Sequence, residues 1–293
     1  MSEEHALLDS MIAAACEAGL NSMEVLAGSF RVEQKEDNSP VTRADTEADA
    51  IIARRLEPWA LALVSEESPL PDHEQRLSFS RYFLIDPLDG TRGFVERGQE
   101  FTVNVALMEN NAPVLGVMAL PVADLVYFGG PRVPTKRIDV GFEAVLANPD
   151  SASGSGRPVG DEMAGELDSD RPIRVIASRH SLDEATRAWI TRLSALSYGI
   201  ETVQKGSAAK FCVLSENKAD VYPRFAPCME WDTAAGVALL RGSGGEVYDA
   251  CLGSALAYGD PEWYSRPFIA VGKFGRSRLP ISELADDARL CPD

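Results

Sequence analysis

Two short apolar runs in this chain each end on carboxylates, and that pairing constrains the fold more than any other feature. Leu61-Ala62-Leu63-Val64 reads as a buried strand delivering Ser65-Glu66-Glu67 into a loop. Arg81-Tyr82-Phe83-Leu84-Ile85 reads as a second strand running into Asp86-Pro87-Leu88-Asp89-Gly90-Thr91. Carboxylates three apart around a turn can grip two adjacent cations from one backbone segment. Proline stiffens such a turn, and glycine lets backbone amides approach an anion closely. The same six residues also suit a plain turn closing a strand, and their composition alone does not separate the two readings.

Around these strands the chain is helical first and then mostly β. Leu7, Leu8, Met11, Ile12, Ala15 and Ala18 recur at helical spacing over residues 3–27. Thr42 reads as the N-cap of a second helix carrying Glu47, Ile51, Ile52 and Leu56, with Pro58 ending it. Strands are expected at 101–107, 114–120 and 125–128, joined by the turn Pro121-Val122-Ala123-Asp124, as an antiparallel meander. Residues 148–170, rich in Gly, Ser, Asp and Glu, read as a flexible loop between a metal-binding half (1–147) and a second α/β half (171–293). In that half, strands are expected at 173–177, 200–203 and 219–222, with helices at 182–193, 208–214 and 231–240. An antiparallel first sheet argues against a simple doubly wound fold.

Composition limits the partners. A net charge of −17 excludes a nucleic-acid polymer, whose backbone needs a basic surface, but leaves room for a small anion met by local cations or a metal. Three histidines and five scattered cysteines without a C-x-x-C pair argue against a zinc cluster or a disulfide framework, and reduced thiols are expected. Any metal would therefore sit among oxygens, as magnesium, manganese or calcium do. No apolar run reaches the roughly 20 residues that span a bilayer. The acidic start Met1-Ser2-Glu3-Glu4 gives a cytoplasmic expectation, with peripheral attachment to the inner membrane face left open. Of the remaining acids, Glu66 and Glu67 alone read as a solvated face, Asp232 as a helix N-cap, and Asp45 as a first-turn acid facing the helix dipole.

Their combination in this order resembles the inositol monophosphatase superfamily of lithium-sensitive, metal-dependent phosphatases. The resemblance rests on Val64-Ser65-Glu66-Glu67-Ser68, Ile85-Asp86-Pro87-Leu88-Asp89-Gly90-Thr91 and Trp231-Asp232-Thr233-Ala234-Ala235-Gly236, and runs over nearly the whole chain. Three further segments are similar to its 3′(2′),5′-bisphosphate nucleotidase branch, the CysQ type. They are Asp89-Gly90-Thr91-Arg92-Gly93-Phe94, Lys205-Gly206-Ser207-Ala208-Ala209-Lys210-Phe211-Cys212 and Tyr222-Pro223-Arg224-Phe225-Ala226-Pro227.

The resemblance implies an α/β/α/β/α layered sandwich and a site for two magnesium ions. Asp86 would bridge them, Glu66 and the Leu88 carbonyl would complete one, and Asp89 and Asp232 the other. Glu66 and Thr91 would orient the attacking water, with Asp45 accepting from Thr91. The Gly90 and Thr91 amides would hold the scissile phosphate, and Ser207, Lys210, Arg224 and Asp232 would meet the rest of the substrate. The implied reaction is hydrolysis of adenosine 3′,5′-bisphosphate to AMP, with 3′-phosphoadenylyl sulfate as a second substrate, by a monomer or homodimer. The alternatives are an inositol or sugar phosphatase and, outside enzymes, a metal-dependent nucleotide sensor. The segment Ser178-Arg179-His180-Ser181-Leu182-Asp183 departs from the branch pattern, because Ser181 stands where that pattern has histidine. Ser181 reads as a helix N-cap with Glu184 at the capping-box position, and His180 as a turn residue directed away from the cleft.

Overall fold

The computed structural model describes residues 3–34, 40–96, 100–160, 171–178, 183–196 and 199–285. Its first helix, Glu3–Ala27, has the bounds the periodicity predicts and buries Leu7, Leu8, Met11, Ile12 and Ala15. Beside it lies Arg43–Leu56, started by a capping box: Thr42 Oγ1 accepts from Ala44 N, and Asp45 accepts from Thr42 N. Pro58 stands in the 3-10 turn Glu57–Trp59 that ends this helix.

Seven strands form the first sheet, in the order Ala62–Ser65, Arg81–Asp89, Thr102–Glu109, Ala112–Leu120, Leu125–Gly130, Val133–Ile138, Arg157–Pro158. Its first pair is parallel, and every later neighbour is antiparallel, which is the expected meander extended by two strands. Side-chain alternation divides its faces. Phe83, Ile85, Val103 and Val105 pack on the two N-terminal helices. Tyr82, Leu84, Ala106 and Met118 pack with Phe211, Leu214, Val237 and Leu240, from the helices Ala209–Ser215 and Ala234–Gly242.

A second sheet covers those helices from the far side, in the order Ile200–Lys205, Ile173–Ser178, Val221–Arg224, Phe268–Val271, Glu246–Asp249. Ile176, Tyr222, Phe268 and Ala270 on its inner face join the same core. Val175, Val221, Ile269 and Val271 on its outer face pack with Trp189 and Leu193 of the helix Glu184–Ala195. Helices, sheet, helices, sheet and helices make the expected five layers. Gly116 fixes the spacing of the inner layers: a Cβ there would collide with the Ala235 carbonyl. Its bare backbone lets the start of the helix Ala234–Gly242 sit directly on the sheet.

Several elements differ from the sequence reading. Within the expected loop 148–170, residues Pro149–Gly154 form a 3-10 helix and Arg157–Pro158 closes the sheet edge. Asp9 Oδ1 accepts from Ser153 N at 2.7 Å, and Ala152 is buried under the first helix. Backbone hydrogen bonds and two small apolar side chains, Ala152 and Val159, anchor this stretch, so a reading of apolar content passes over it. Residues 161–170 lie outside the described residues. The helix expected from residue 182 begins at Glu184, and its N-cap is Asp183 in place of Ser181. Asp183 Oδ1 accepts from Thr186 N at 2.8 Å, and Oδ2 from Thr186 Oγ1 at 2.6 Å. His180 and Ser181 lie outside the described residues. The helix read from residue 231 starts at Ala234, with 230–233 as a turn between it and the strand Cys228–Met229. Cys251 is disulfide-bonded where reduced thiols were expected, while Cys16, Cys212 and Cys228 are free and buried. Spacing along the chain does not report which thiols the fold brings together.

Candidate active site

Strand register brings Glu66 and Asp86 together. Ser65 pairs with Ile85 in the parallel ladder, and Glu66 N continues it by donating to Ile85 O at 3.2 Å. The next residue on each strand is therefore an acid at the same sheet end. Residues 86 and 89 would point to opposite faces of a regular strand, since their spacing is odd. A register shift resolves this: Asp86 pairs with Asn104 and Asp89 with Thr102, leaving one extra residue in the acidic strand. The bulge turns Leu88 into an apolar cluster with Phe94 and Phe101 and re-aims Asp89.

Asp232 arrives from the second half of the chain, on the turn before Ala234–Gly242. Its Oδ2 accepts from Met229 N at 3.0 Å, so the carboxylate is fixed from behind and does not cap the helix. Carboxylate oxygens of Glu66, Asp86 and Asp232 lie within 4.8 Å of one another. Asp89 stands just outside that trio. Its Oδ2 accepts from Ala208 N and from Thr102 Oγ1, tying the bulge to the turn 205–208.

So many acids in one place distort their own ionisation. Asp86 is only 1% exposed, and burial, then the charges of Glu66, Asp89 and Asp232, hold its carboxyl well above the usual range. Asp232 is pushed up to about 7, by burial first and Asp89 next, against the opposing pull of Arg224. Buried carboxylates that repel one another fit a cation, and an all-oxygen donor set fits a hard one. The cross-strand partner of Asp86 agrees: Asn104 is 1% exposed, and neither amide atom has a hydrogen-bond partner among the described residues.

The remaining expected residues gather on the same side. Gly90 takes φ +96°, in the left-handed region, and opens the short helix Thr91–Val95. Asp45 serves two partners: its Oδ2 holds the Thr42 cap, and its Oδ1 lies 3.1 Å from Thr91 Oγ1. Both sequence readings of Asp45 therefore describe one side chain. A cavity of about 150 Å³ is lined by Asp89, Gly90, Ser207, Lys210, Arg224 and Asp232. Lys210 Nζ donates to Ser207 O at 2.8 Å and sits 5.2 Å from the Tyr222 ring centroid. The Arg224 guanidinium donates to the carbonyls of Ala226 and Pro227, at 3.4 and 3.0 Å.

Sequence reasoning missed Glu100 and Thr102. Glu100 accepts from Lys205 Nζ at 2.9 Å and Gly206 N at 2.7 Å, holding the turn that carries Ser207. A lone glutamate before a strand carries no signal of this. The pairing of Thr102 with Asp89 depends on a bulge that only the register reveals.

The model of the inositol monophosphatase family matches residues 7–265. This chain belongs to that family. It is 36% identical over 269 residues to the 3′(2′),5′-bisphosphate nucleotidase CysQ of Salmonella typhimurium, covering 90% of this chain and 99% of the relative. The protein of the same name from Escherichia coli K12 is 35% identical over 270 residues, with the same coverage. Among solved structures, CysQ from Bacteroides thetaiotaomicron superimposes with a TM-score of 0.75 at 32% identity, over 90% of this chain and 96% of that one. SuhB from Bartonella henselae, at 20% identity and a TM-score of 0.70, shares the fold over 97% of this chain and 99% of that one. No described helix is long and apolar enough to cross a membrane.

Proposed function

We propose that this chain is a magnesium-dependent 3′(2′),5′-bisphosphate nucleotidase that hydrolyses adenosine 3′,5′-bisphosphate to AMP and phosphate. The observation that carries this reading is one cavity lined by both acids and cations: Asp89 and Asp232 share a space of about 150 Å³ with Lys210 and Arg224. A metal-bound phosphate needs the acids, while a second phosphate needs cations. The names of the 35–36% identical relatives point to the same reaction. Hydrolysis of 3′-phosphoadenylyl sulfate and removal of the by-product of sulfate activation belong to the same proposal, as does a cytoplasmic site of action.

Glu66, Asp86, Asp232, the free Oδ1 of Asp89 and the Leu88 carbonyl would hold the magnesium. When bound, magnesium lowers the pKa of water and neutralises charge on the phosphoryl oxygens. The protein's own part is orientation. The Thr91 hydroxyl has one proton and two acceptors at 3.1 Å, Asp45 Oδ1 and Leu88 O. With that proton directed to Asp45, the oxygen's lone pairs face outward to accept a hydrogen bond from the attacking water, beside Glu66. The Gly90 and Thr91 amides would hold the scissile phosphate, and Ser207, Lys210 and Arg224 the second phosphate and nucleoside.

A phosphate-release panel tests the reading, comparing adenosine 3′,5′-bisphosphate, inositol 1-phosphate and fructose 1,6-bisphosphate with and without magnesium. Preference for the nucleotide supports it. Preference for inositol 1-phosphate or the sugar makes the chain a phosphatase of that kind. Tight nucleotide binding without release makes it a sensor.

A further inference from the structure

Behind Asp232 lies a buried ion pair that the reaction does not use. Arg76, on the helix His73–Ser78, and Glu230 have side chains 0% and 1% exposed, and Arg76 Nη2 donates to Glu230 Oε2. Arg76 Nη1 donates to Asp260 O at 2.7 Å, and its guanidinium lies 3.7 Å from the Trp263 ring centroid. Glu230 Oε1 accepts from Gly259 N and Asp260 N, at 2.7 and 3.0 Å. Its backbone is equally occupied. Glu230 N donates to Trp263 O, and Glu230 O accepts from Thr233 N, Ala234 N and Thr233 Oγ1. The turn that presents Asp232 is thus fastened on every side through one residue.

Arg76 lies between the strands that supply Glu66 and Asp86, while Glu230 lies two residues before Asp232. The pair therefore joins the segment carrying three of the acids to the turn carrying the fourth. Stability alone explains it poorly, because replacing a buried ion pair with apolar residues is often neutral or stabilising. What an ion pair adds is direction and fixed distance, since the guanidinium is planar and each contact here has its own geometry.

We propose that Arg76 and Glu230 are positioning residues for the metal site: they set where the Asp232 carboxylate stands relative to Glu66, Asp86 and Asp89. This rests on the reading of those acids as metal ligands. Loosening the turn then lowers metal affinity even while the protein stays folded.

The test is calorimetric titration of the full chain with magnesium, without substrate, well below the melting temperature. Glu230→Ala is expected to weaken binding about tenfold or more, the range seen when groups behind a metal ligand are removed. Glu230→Gln keeps an acceptor for Gly259 N and Asp260 N but turns an amide NH2 toward Arg76 Nη2, so it is expected to fall between Glu230→Ala and the wild type. Asp220→Asn supplies the control. Asp220 is a buried acid held by Arg171 and Arg174, so its loss lowers melting without touching this turn. Should Glu230→Ala fail to fold, Arg76→Lys, which cannot hold Glu230 and Asp260 in one plane, is expected to weaken binding severalfold. A Glu230→Ala or Arg76→Lys protein that melts lower, as Asp220→Asn does, yet binds magnesium like the wild type overturns the positioning role and leaves the nucleotidase reading standing. A wild-type protein that binds no divalent cation overturns both.

Discussion

Thr91 Oγ1 lies 3.1 Å from Asp45 Oδ1, although the two residues are 46 positions apart. The other oxygen of Asp45 holds the first turn of its helix through Thr42. One carboxylate thus carries a structural load and, in the proposed mechanism, a catalytic one, and substitutions can separate them. Thr91→Val should leave melting nearly unchanged and lower kcat by about 10²–10⁴, the usual range for a group that handles a proton. Thr91→Ser should retain most activity. Asp45→Ala should lose both kcat and about 1 kcal/mol of stability, because it also removes a cap contact. Turnover assays beside thermal melts decide the matter. Normal kcat in Thr91→Val would remove the hydroxyl from the mechanism.

The acid cluster predicts how metal-free protein responds to pH. Asp86 and Asp232 hold their protons more tightly folded than unfolded. Between about 4, the ordinary carboxylate value, and about 7 for Asp232, the folded state binds more protons. Stability of the metal-free protein should therefore fall as pH rises through that window. Magnesium bound at these acids would replace those protons, so the gain in Tm on adding it should be larger at pH 8 than at pH 5. Melts in chelator and in magnesium across this range check it. A gain independent of pH would show that the cation does not bind at these acids.

Arg224 should govern selectivity more than turnover. A charged hydrogen bond contributes about 1.5–3 kcal/mol, so Arg224→Ala should lower kcat/KM for the bisphosphate about 10- to 150-fold. A simple monophosphate should be affected far less. Equal losses on both substrates would place Arg224 against the scissile phosphate or in the fold.

Asp183, as N-cap of Glu184–Ala195, should matter to stability and not to chemistry. Asp183→Ala should cost about 1 kcal/mol with kcat/KM unchanged. Ser181→Ala should melt like the wild type. The reverse order of melting temperatures would contradict the observed cap.

Much of this was legible in the chain because local chemistry and global arrangement agree. Thr42 and Asp45 spell a helix start, and the apolar runs before Glu66 and Asp86 mark buried strand ends. Periodicity could not show that Asp86 and Asp89 share a face, since an odd spacing forbids it until a bulge intervenes. Composition likewise concealed residues 149–158, held by a hydrogen bond to Asp9, sheet-edge pairing and the small side chain of Ala152 in place of an apolar run. Nothing in the sequence singles out Arg76 or Glu230. Their burial follows from two segments 154 residues apart meeting, which no local pattern records.

The most direct measurement is the identity of the product formed from adenosine 3′,5′-bisphosphate, followed chromatographically with purified protein. The account predicts AMP and inorganic phosphate in equal amounts, formed with magnesium, absent in chelator, and absent in Asp89→Asn with its fold intact. Adenosine 3′-phosphate as the product, or unchanged nucleotide in the presence of magnesium, would contradict it.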